Sequence, residues 1–422
     1  MSTQQTATAV QAHTDRPLSL DSAYEYAAAQ ALRPGTVGRV GMELEGHVID
    51  FGAPEVRPSW DRIRTAVDGI GSLPGRSDIT LEPGGQLELS TQPFEGISAA
   101  IDALRDDQAA VHAKLAEHRL GVLHMGADPV RPPVRVNPKS RYAAMESYFV
   151  ATGNEGNGRA MMCSTASLQV NVDVGSPQGW SERVQLAHRL GPVMVAMSAC
   201  SPLMAGRSTG WRSTRQRIWG ELDRARCGPL LAGSDPAHEW AAYAMQAPVM
   251  LVRDPLTKAA TPMSSAVSFG AWADGTVQLA GRPPTTDDLE YHLTTLFPPV
   301  RLRGFVEIRY LDAVPLQWWP ALAAVLVALV DDPVAADRAA EATEETTAGW
   351  TRAAHLGLAD PALARAAQRC IEAALAVVAP ELKSDVELYA ELVHFGRSPG
   401  DEILDEVHRT DPTTAMRDLA RA

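Results

Sequence analysis

Cysteine is scarce in this sequence, and its few cysteines follow no recognisable spacing. The chain has 422 residues, and its four cysteines are Cys163, Cys200, Cys227 and Cys370. None lies in a CxxC pair, so the spacing typical of a zinc site or of a dense disulfide framework is missing. We therefore predict a protein of the reducing cytoplasm whose thiols are buried and inert rather than nucleophilic.

The sequence is also short of positive charge and of long apolar segments. Its 38 Lys and Arg residues stand against 51 Asp and Glu residues, which argues against a nucleic-acid partner. The first residues have no apolar core, which excludes a signal peptide, and residues 1–18 are predicted to form a disordered arm. The longest apolar run, 316–330, contains Pro320 and is shorter than the roughly 20 residues of a membrane span. We expect a buried helix there and no contact with a membrane.

Helical and strand patterns are mixed along the first three quarters of the chain. Predicted helices cover residues 20–33, 98–120, 181–200 and 287–297, predicted strands cover residues 38–51, 168–174 and 304–311, and the chain from about 318 onward is almost wholly helical. Ser98 is expected to cap the second helix and Gly121 to end it. Regular strand–helix alternation with Gly-rich turns is missing, so we predict an α+β fold with an antiparallel sheet.

Four strand-like segments carry polar residues at every second position. The polar positions are Glu43, Glu45 and His47, then Gln86, Glu88 and Ser90, then Gln169, Asn171 and Asp173, and finally Glu307 and Arg309. Because alternate side chains point to opposite faces, each segment has one apolar and one polar face. A sheet with one face in water is the simple explanation. A solvated face usually carries lysine, however, and these segments have none, so we favour a shared polar cavity.

Carboxylates that meet in one cavity need a compensating charge. Two like charges about 4 Å apart repel by roughly 4 kcal/mol at an effective dielectric of 20. The available donors are oxygens apart from His47, which suits Mg²⁺, or Mn²⁺, rather than zinc. His47 is either a ligand or, as we favour, a histidine at the end of a strand. The Pro83-Gly84-Gly85 turn is either a hairpin connection or a place where backbone N–H groups approach a phosphate.

Arginines near these segments are candidates for binding anions. Three of them, Arg212, Arg215 and Arg217, lie in the segment WRSTRQRIW, and Arg301, Arg303 and Arg309 lie before or on the fourth strand. The guanidinium group binds carboxylates and phosphates through two hydrogen bonds. The alternative is that these arginines pair with acids on the surface, which is less favoured for Arg309 because it shares the acidic face.

At these residues the sequence resembles the glutamate–cysteine ligases of the second, plant and bacterial, family. The matching segments are GMELEGH (41–47), LEPGGQLELS (81–90), NPKSRYAAM (137–145), MMCSTASLQVNVD (161–173), SPLMAGRSTGWRSTRQRIW (201–219), YAMQAPVML (243–251) and DLEYHLTTLFPPVRLRGFVEIRYLDAVP (288–315). They occur in the order of the family. Ser164 stands where the plant enzymes carry an arginine, and the paired cysteines of plant redox control are not evident.

The resemblance implies an ATP-dependent ligase that joins L-glutamate and L-cysteine through a γ-glutamyl phosphate, with Mg²⁺ or Mn²⁺ as the cofactor. It implies a funnel-like antiparallel sheet related to the catalytic domain of glutamine synthetase. We expect a single catalytic domain over 19–422, with a sheet core at about 36–315 and a helical C-terminal region at about 316–422. The chain looks like the actinobacterial type whose product feeds ergothioneine biosynthesis, and we expect a monomer or a weak homodimer.

The resemblance also assigns roles to individual residues. The implied metal ligands are Glu43, Glu45, Glu82, Glu88 and Glu307. The implied substrate-binding residues are Gln86, Arg141, Tyr142, Gln169, Asn171, Arg212, Arg303 and Arg309, and the implied catalytic residues are Arg309 and Glu88. Two alternatives stay open: a related carboxylate–amine ligase that uses another amine, and a non-catalytic protein that binds amino acids or metals on the same fold.

Overall fold

The centre of the molecule is an antiparallel sheet of eight strands, seen in a computed structural model that describes residues 17–230 and 233–421. The strands of this sheet are β1 (Arg39–Asp50), β2 (Asp78–Leu81), β3 (Leu87–Ser90), β4 (Phe94–Glu95), β5 (Leu120–Leu123), β6 (Ser167–Val172), β11 (Val300–Leu302) and β12 (Val306–Asp312). Two small ribbons pair β7 (Leu203–Met204) with β8 (Arg207–Ser208) and β9 (Leu251–Arg253) with β10 (Ala260–Pro262). Residues 1–16 of the predicted arm lie outside the described residues.

The long strand β1 organises the sheet. Its neighbours follow the order β11-β12-β6-β1-β3-β2, and β4 and β5 pair with the two ends of β1 beyond β3. Every pairing in this sheet is antiparallel. The predicted α+β fold with an antiparallel sheet is therefore confirmed.

Helices pack against the sheet and make up the C-terminal quarter of the chain. They are α1 (Leu20–Ala31), α2 (Trp60–Asp68), α3 (Ile97–Glu117), α4 (Ser140–Ala151), α5 (Glu155–Ser164), α6 (Trp180–Ser198), α7 (Thr214–Gly220), α8 (Arg224–Cys227), α9 (Pro236–Gln246), α10 (Phe269–Ala273), α11 (Thr286–Leu293), α12 (Trp319–Asp331), α13 (Pro333–Thr343), α14 (Trp350–Leu356), α15 (Pro361–Leu375), α16 (Lys383–His394), α17 (Pro399–Arg409) and α18 (Pro412–Leu419). The predicted helical C-terminal region is thereby confirmed.

The apolar face of the sheet packs against three of these helices. Helix α3 contacts β1, α12 contacts β6 and α6 contacts β12. Met42, Leu44, Val170 and Ile308 are fully buried there, and burying a side chain of this size stabilises a fold by roughly 1.5–3 kcal/mol. Because these residues alternate with the polar ones, the same packing directs the polar side chains to the opposite face.

The longest apolar run forms a helix of the core. Helix α12 has Pro320 in its first turn, where proline leaves no hydrogen bond unmade, and nearly all its residues are buried. This confirms the expected buried helix. By length and composition, no single helix of the described ranges is able to span a membrane, and one pair, Trp319–Asp331 with Pro333–Thr346, meets those criteria only when taken together across a bend of 100°.

The boundaries of α3 differ from the prediction. The helix begins at Ile97, after Gly96 with φ 82°, and Ser98 is not its N-cap. The pairing of β4 with β1 carries the chain directly into that turn, which starts the helix earlier. Gly121 does not end the helix, which stops at Glu117, and lies instead within β5.

The cysteines match the expectation of buried, unreactive thiols. Cys163, Cys200, Cys227 and Cys370 are all buried free thiols. Burial raises the pKa of the Cys163 thiol to about 12 and that of the Cys370 thiol to about 12, so neither supplies a thiolate at neutral pH.

Candidate active site

The register of the sheet brings the predicted polar residues together. The facing pairs are Glu45 with Glu88, Glu43 with Gln169, and Asn171 with Glu307. Directly opposed residues of antiparallel strands project from the same face, with Cβ atoms about 4.5–5.5 Å apart. The polar positions of four separate segments therefore form one surface.

This surface is the floor of a cavity of about 410 Å³, which we call the carboxylate cavity. Helices α4, α5 and α7 and the chain after α11 contribute its walls. The predicted residues that line it are Glu43, Glu45, Glu82, Gln86, Glu88, Arg141, Tyr142, Gln169, Arg303 and Arg309. Arg215 and Arg301 also line it, as do the methionines Met145, Met161 and Met162.

We call the part of the cavity lined by Glu45, Glu82 and Glu88 its acidic half. Hydrogen bonds hold two of these carboxylates in place. Glu45 accepts a hydrogen bond of 2.8 Å from the backbone N–H of Ser167. Glu88 accepts one of 2.8 Å from the Oγ1 hydroxyl of Thr80 and one of 3.2 Å from the Oγ hydroxyl of Ser90. These contacts hold both carboxylates on the cavity floor.

Burial disfavours ionisation of the carboxylates in this half, and for Glu82 and Glu88 neighbouring carboxylates add to the effect. Burial, with the charges of Glu88 and Glu45, raises the pKa of Glu82 to about 8. Burial and the charge of Glu45 raise the pKa of Glu88. Burial also raises the pKa of Glu45, against the opposing effect of the Arg215 guanidinium. Ionised together, these three carboxylates would carry more negative charge than their buried surroundings neutralise.

Such a cluster is chemically suited to a divalent cation. Its donors on Glu45, Glu82 and Glu88 are all oxygens, as Mg²⁺ and Mn²⁺ prefer. A bound cation would favour the ionised carboxylates and so oppose the burial and repulsion that raise their pKa values. Within residues 17–230 and 233–421, no three His, Cys, Asp or Glu side chains are already arranged as a coordination shell. The donor atoms suit the ion, and coordination of it requires the carboxylates to move closer together.

Glu307, an implied metal ligand, lies in different surroundings. It is fully buried and accepts hydrogen bonds from both Nε and Nη2 of Arg301, and one of 2.9 Å from Nη1 of Arg309. Nη1 of Arg303 is 3.8 Å from its Oε1. Although burial opposes ionisation, these guanidinium groups hold the pKa of Glu307 at about 2. In this structure Glu307 orients these arginines, and burial together with the charges of Glu307 and Glu88 raises the pKa of Glu43.

Arg309 connects the two halves of the cavity. Besides its bond to Glu307, its Nη1 donates to Oε1 of Gln169 over 2.5 Å, and Nε2 of Gln169 donates to Oε1 of Glu45 over 3.3 Å. Because one nitrogen of the guanidinium donates to two acceptors, its orientation is restricted. Arg309 is therefore placed to bind an anion between the carboxylates and the other arginines.

Gln86 lines the cavity, but its side chain is used inside the protein. Its Oε1 accepts from the backbone N–H of Gly84 over 2.9 Å, and its Nε2 donates to the carbonyl groups of Thr165 and Met162. The amide is 2% exposed. These bonds brace the loop that carries Glu82, which is a structural role in place of the predicted contact with a substrate.

The Pro83-Gly84-Gly85 turn acts as a hairpin connection between β2 and β3. The N–H of Gly84 binds Gln86, and the N–H of Gly85 donates to the carbonyl of Glu82 over 2.9 Å. A Cβ atom at Gly84 would lie 2.2 Å from the carbonyl oxygen of Cys163. Since both N–H groups are occupied and the turn is packed against α5, it offers no cradle for a phosphate.

Two further predicted residues lie outside the cavity lining. Asn171 donates from Nδ2 to Oε1 of Glu43 over 3.1 Å and so orients that carboxylate. His47 contacts the carbonyl of Met125 over 3.1 Å, and burial lowers the pKa of its imidazole to about 4. His47 is a neutral core residue at the end of the polar series, as we favoured.

Arg212 is not brought into the cavity, whereas Arg215 is. Arg212 precedes α7 and pairs with Asp401 of α17. Arg215, on the first turn of α7, is 4% exposed and donates from Nη2 to the carbonyl of Arg309 over 2.8 Å. The sequence analysis named both Arg212 and Arg215 as candidates for binding anions. The packing of α7 places only Arg215 in the cavity lining.

Arg141 and Tyr142 lie on α4 at the mouth of the cavity. Nη2 of Arg141 donates to the carbonyl of Thr294 over 3.1 Å, and its guanidinium lies 4.8 Å from the centre of the Tyr291 ring. Burial and the charge of Glu82 raise the pKa of Tyr142, so its hydroxyl stays protonated and able to donate.

A second cavity of about 370 Å³ adjoins the first, and we call it the aromatic cavity. Trp211, Trp219, Phe297 and Trp350 are among its lining residues. The shared wall between the two cavities is formed by Arg215, Trp219, Phe297 and Arg309, which line both.

Comparison with known proteins gives consistent matches along nearly the whole chain. The model of the family described as glutamate-cysteine ligase family 2 (GCS2) matches residues 39–418. Glutamate–cysteine ligase EgtA of Mycolicibacterium smegmatis is 50% identical over 410 residues, which cover 96% of each chain. The EgtA of Mycobacterium tuberculosis H37Rv is 50% identical over 388 residues, 92% of this chain and 90% of the relative. The solved structure of the Francisella tularensis glutamate–cysteine ligase in complex with AMP superimposes with a TM-score of 0.58 at 14% identity, over 92% of this chain and 88% of that one, and shares the fold.

Proposed function

Because the chain belongs to glutamate–cysteine ligase family 2, we propose that it joins the γ-carboxyl group of L-glutamate to the amine of L-cysteine in a reaction driven by ATP. The product is γ-glutamylcysteine, formed in the cytoplasm for ergothioneine biosynthesis. The observation that carries the proposal is the division of one cavity into an acidic half and an arginine-rich half that meet at Arg309.

The acidic half would hold the cation that accompanies ATP. Glu45, Glu82 and Glu88 would hold Mg²⁺, or Mn²⁺, and the bound ion would offset the charge of the phosphate oxygens. Glu43 lies beside them, with its carboxylate oriented by Asn171. Glu43 and Glu45 lie on β1, Glu88 lies on β3, and Glu82 follows β2. The pairing of these strands therefore fixes where the four carboxylates lie.

The arginine-rich half would bind the groups that carry negative charge during the reaction. Arg309 is held by Glu307 and Gln169 before any substrate arrives, so no reorganisation is needed when charge develops. Arg301 and Arg303 lie beside it around Glu307. We assign to Arg309 the stabilisation of the transferred phosphoryl group, and to Arg303 a contact with substrate carboxylate or phosphate.

The reaction has two bond-making steps. An oxygen of the glutamate γ-carboxylate attacks the γ-phosphorus of ATP, and ADP leaves. The amine of cysteine then attacks the acyl carbon, the carbon–oxygen bond to phosphate breaks, and the nitrogen loses a proton.

Turnover tests the proposal directly. The purified protein, incubated with ATP, Mg²⁺, glutamate and cysteine, is expected to release ADP and phosphate and to form γ-glutamylcysteine, detected by mass spectrometry. Turnover with another amine but not with cysteine would select a related carboxylate–amine ligase. Nucleotide binding without turnover for any amine would select a non-catalytic binding protein.

A further inference from the structure

The turn over residues 82–86 carries Glu82, and an arginine from a distant segment is bonded to its backbone. Within the turn, the N–H of Glu82 donates to the carbonyl of Gln86 over 2.8 Å. From outside the turn, Nη1 of Arg57 donates to the carbonyl of Gly84 over 2.8 Å. Arg57 lies between β1 and α2 and is not among the residues that line the carboxylate cavity. A charged side chain away from the cavity therefore holds the backbone two residues after Glu82.

The peptide groups of Gly84 are restrained on several sides. Its N–H donates to Oε1 of Gln86 over 2.9 Å, and its carbonyl accepts the bond from Arg57. A Cβ atom at this position would lie 2.2 Å from the carbonyl oxygen of Cys163, so α5 packs directly against the turn. Because a hydrogen bond from a charged donor is roughly twice as strong as a neutral one, we expect the bond from Arg57 to contribute most to fixing this backbone.

Arg57 is itself held in place by a buried carboxylate. Its Nη2 donates to Oδ2 of Asp128 over 3.1 Å and to the carbonyl of Pro132 over 3.1 Å. Asp128 is fully buried and also accepts hydrogen bonds from Nε and the backbone N–H of Arg131. The side chain of Arg57 is 9% exposed. With Nη1 bonded to the turn and Nη2 bonded to Asp128, the plane of the guanidinium is fixed.

Other bonds reach the turn from outside, and their donors are neutral. The backbone N–H groups of Val136 and Asn137 donate to the carbonyl of Pro83 over 2.9 Å and 3.0 Å. These bonds remain when Arg57 is replaced, and Asp128 keeps its partner Arg131. The loss of Arg57 is therefore expected to displace the turn locally rather than to unfold it.

We propose that Arg57, oriented by Asp128, is a positioning residue that places the Glu82 carboxylate for the divalent cation and so sets the affinity of the site for that cation. The inference rests on the proposed ligase function, in which Glu82 holds Mg²⁺ or Mn²⁺. Removing a group that orients a metal ligand through hydrogen bonds typically lowers metal affinity about 10–100-fold. Because Arg57 does not line the cavity, it acts only through the backbone of the turn.

Direct measurement of Mn²⁺ binding to Arg57→Gln tests the inference without turnover. Titration of the purified protein with Mn²⁺ alone, followed by electron paramagnetic resonance of the free ion, gives the dissociation constant. We expect this constant to rise about 10-fold or more relative to the wild type. In activity assays the half-saturating concentration of Mg²⁺ should rise similarly, while kcat at saturating Mg²⁺ changes less than about 3-fold.

A double-mutant cycle with Glu82→Gln separates positioning from a general loss of structure. If Arg57 acts through Glu82, Arg57→Gln changes the Mn²⁺ dissociation constant by less than about 3-fold once Glu82 is already replaced. Arg183→Gln is the matched control, because the side chain of Arg183 is also 9% exposed and donates to the carbonyls of Asp173 and Val330. Arg183 does not line the carboxylate cavity, and its replacement should leave the Mn²⁺ affinity unchanged.

Arg57→Lys provides the test if thermal unfolding shows that Arg57→Gln is not folded. The lysine keeps a positive charge beside Asp128, but a single ammonium nitrogen replaces the two nitrogens with which Arg57 contacts the turn and Asp128. The Mn²⁺ dissociation constant of Arg57→Lys is expected to rise about 3-fold or more, and this rise should disappear in the Glu82→Gln background.

Unchanged Mn²⁺ affinity in the folded Arg57 variant overturns the inference, and so does an equal rise of the dissociation constant in the wild-type and Glu82→Gln backgrounds. Either result leaves the ligase function standing if the wild type turns over cysteine. A wild type that is inactive with every amine refutes the function instead, and the Mn²⁺ titration then decides the role of Arg57 separately.

Discussion

At the scale of single residues, Glu88 and Glu307 occupy one polar face of the sheet in opposite electrostatic surroundings. Burial beside Glu45 raises the pKa of Glu88, whereas arginines hold the pKa of Glu307 at about 2. A raised pKa means that the fold disfavours the ionised carboxylate, and a lowered pKa means that the fold requires it. Neutralising the two residues should therefore change stability in opposite directions.

The first prediction concerns Glu88→Gln. We expect turnover to fall by more than about 100-fold, because a residue assigned to hold the cation is lost. At pH 7 the unfolding free energy should stay the same or increase, since a carboxylate whose ionisation is disfavoured by burial and by the charge of Glu45 is removed. Initial rates at saturating substrate and urea unfolding measure both. Glu95→Gln, on the exposed strand β4, is the control, and near-wild-type turnover of Glu88→Gln would refute its role.

The second prediction concerns Glu307→Gln, which removes the same charge from the same face. The buried Arg301 would lose its compensating partner, and breaking a buried pair on one side costs about 3–5 kcal/mol. We expect unfolding in urea at a clearly lower concentration, with reduced turnover because Arg309 loses an orienting bond. Equal stability of Glu307→Gln and the wild type would show that the arginines do not depend on this carboxylate.

The third prediction concerns pH and His188, which lies within α6 and does not line the carboxylate cavity. Burial lowers the pKa of His188 to about 4, whereas in the unfolded chain it is about 6.5. Between these values only the unfolded state takes up the proton, so the stability that His188 contributes is complete above about pH 6.5. It falls by about 1.4 kcal/mol per pH unit down to about pH 4.

The variant His188→Asn isolates this effect, because the asparagine amide can replace the Nδ1 bond of 2.8 Å to the carbonyl of Val184. The difference in unfolding free energy between wild type and variant should shrink as the pH falls from 7.5 to 5. Urea unfolding at several pH values measures it. A difference that does not change with pH would contradict the lowered pKa.

At the scale of elements, the start of α7 is tied to the end of β12. Buried Asp312 accepts hydrogen bonds from Ser201 Oγ over 2.7 Å and from Ser213 Oγ over 2.9 Å. Ser213 is the N-cap of α7, and its Oγ accepts from the N–H of Gln216. The first turn of the helix, which carries Arg215, is thus placed by the strand that carries Arg309.

The fourth prediction compares two caps. Ser213→Ala should lower stability by about 1 kcal/mol and lower kcat/KM roughly 10-fold, because Arg215 loses its exact position. Ser268→Ala removes the cap of α10, in which Oγ of Ser268 accepts a hydrogen bond of 3.1 Å from the N–H of Ala271, and serves as the control. It should lower stability similarly and leave kcat/KM unchanged. Unaltered kcat/KM in Ser213→Ala would show that the placement of α7 does not depend on this serine.

At the scale of the whole molecule, the carboxylates of one cavity connect global stability to a bound cation. A ligand that binds only the folded state stabilises it by RT ln(1 + [L]/Kd), about 2.7 kcal/mol at 100 times Kd. The carboxylates come from β1, β3 and the loop that follows β2, so a cation would bridge segments distant in sequence.

The fifth prediction is that Mn²⁺ and Mg²⁺, added with ATP, raise the unfolding temperature of the wild type. Differential scanning fluorimetry with and without EDTA measures the shift. In Glu88→Gln most of the rise in unfolding temperature caused by the cation should be lost. Glu307→Gln should keep this rise, although it unfolds at a lower temperature than the wild type when no cation is present. If both variants lost the cation-dependent rise in unfolding temperature equally, Glu307 would also be a metal ligand.

The sequence by itself determined the fold class and most of the cavity. Alternation in residues 38–51 and 304–311 assigns each side chain to a face, because the period of a strand is two and the apolar face must be buried. Ten of the predicted site residues line the carboxylate cavity. The segments that resemble the family also identified it, because they contain the polar residues of the site and occur in the same order along the chain.

Only the tertiary structure decided which partner each charge received. Glu307 faces Arg301 because the β11–β12 register pairs them, and that register is a property of two strands together. The side-chain amide of Gln86 forms hydrogen bonds to α5 and to the loop after it. Arg212 forms an ion pair with Asp401, which is 189 positions away in the sequence. The alternation in a strand predicts the face of the sheet to which a side chain points. The residues that it contacts on that face depend on the packing of segments distant in sequence.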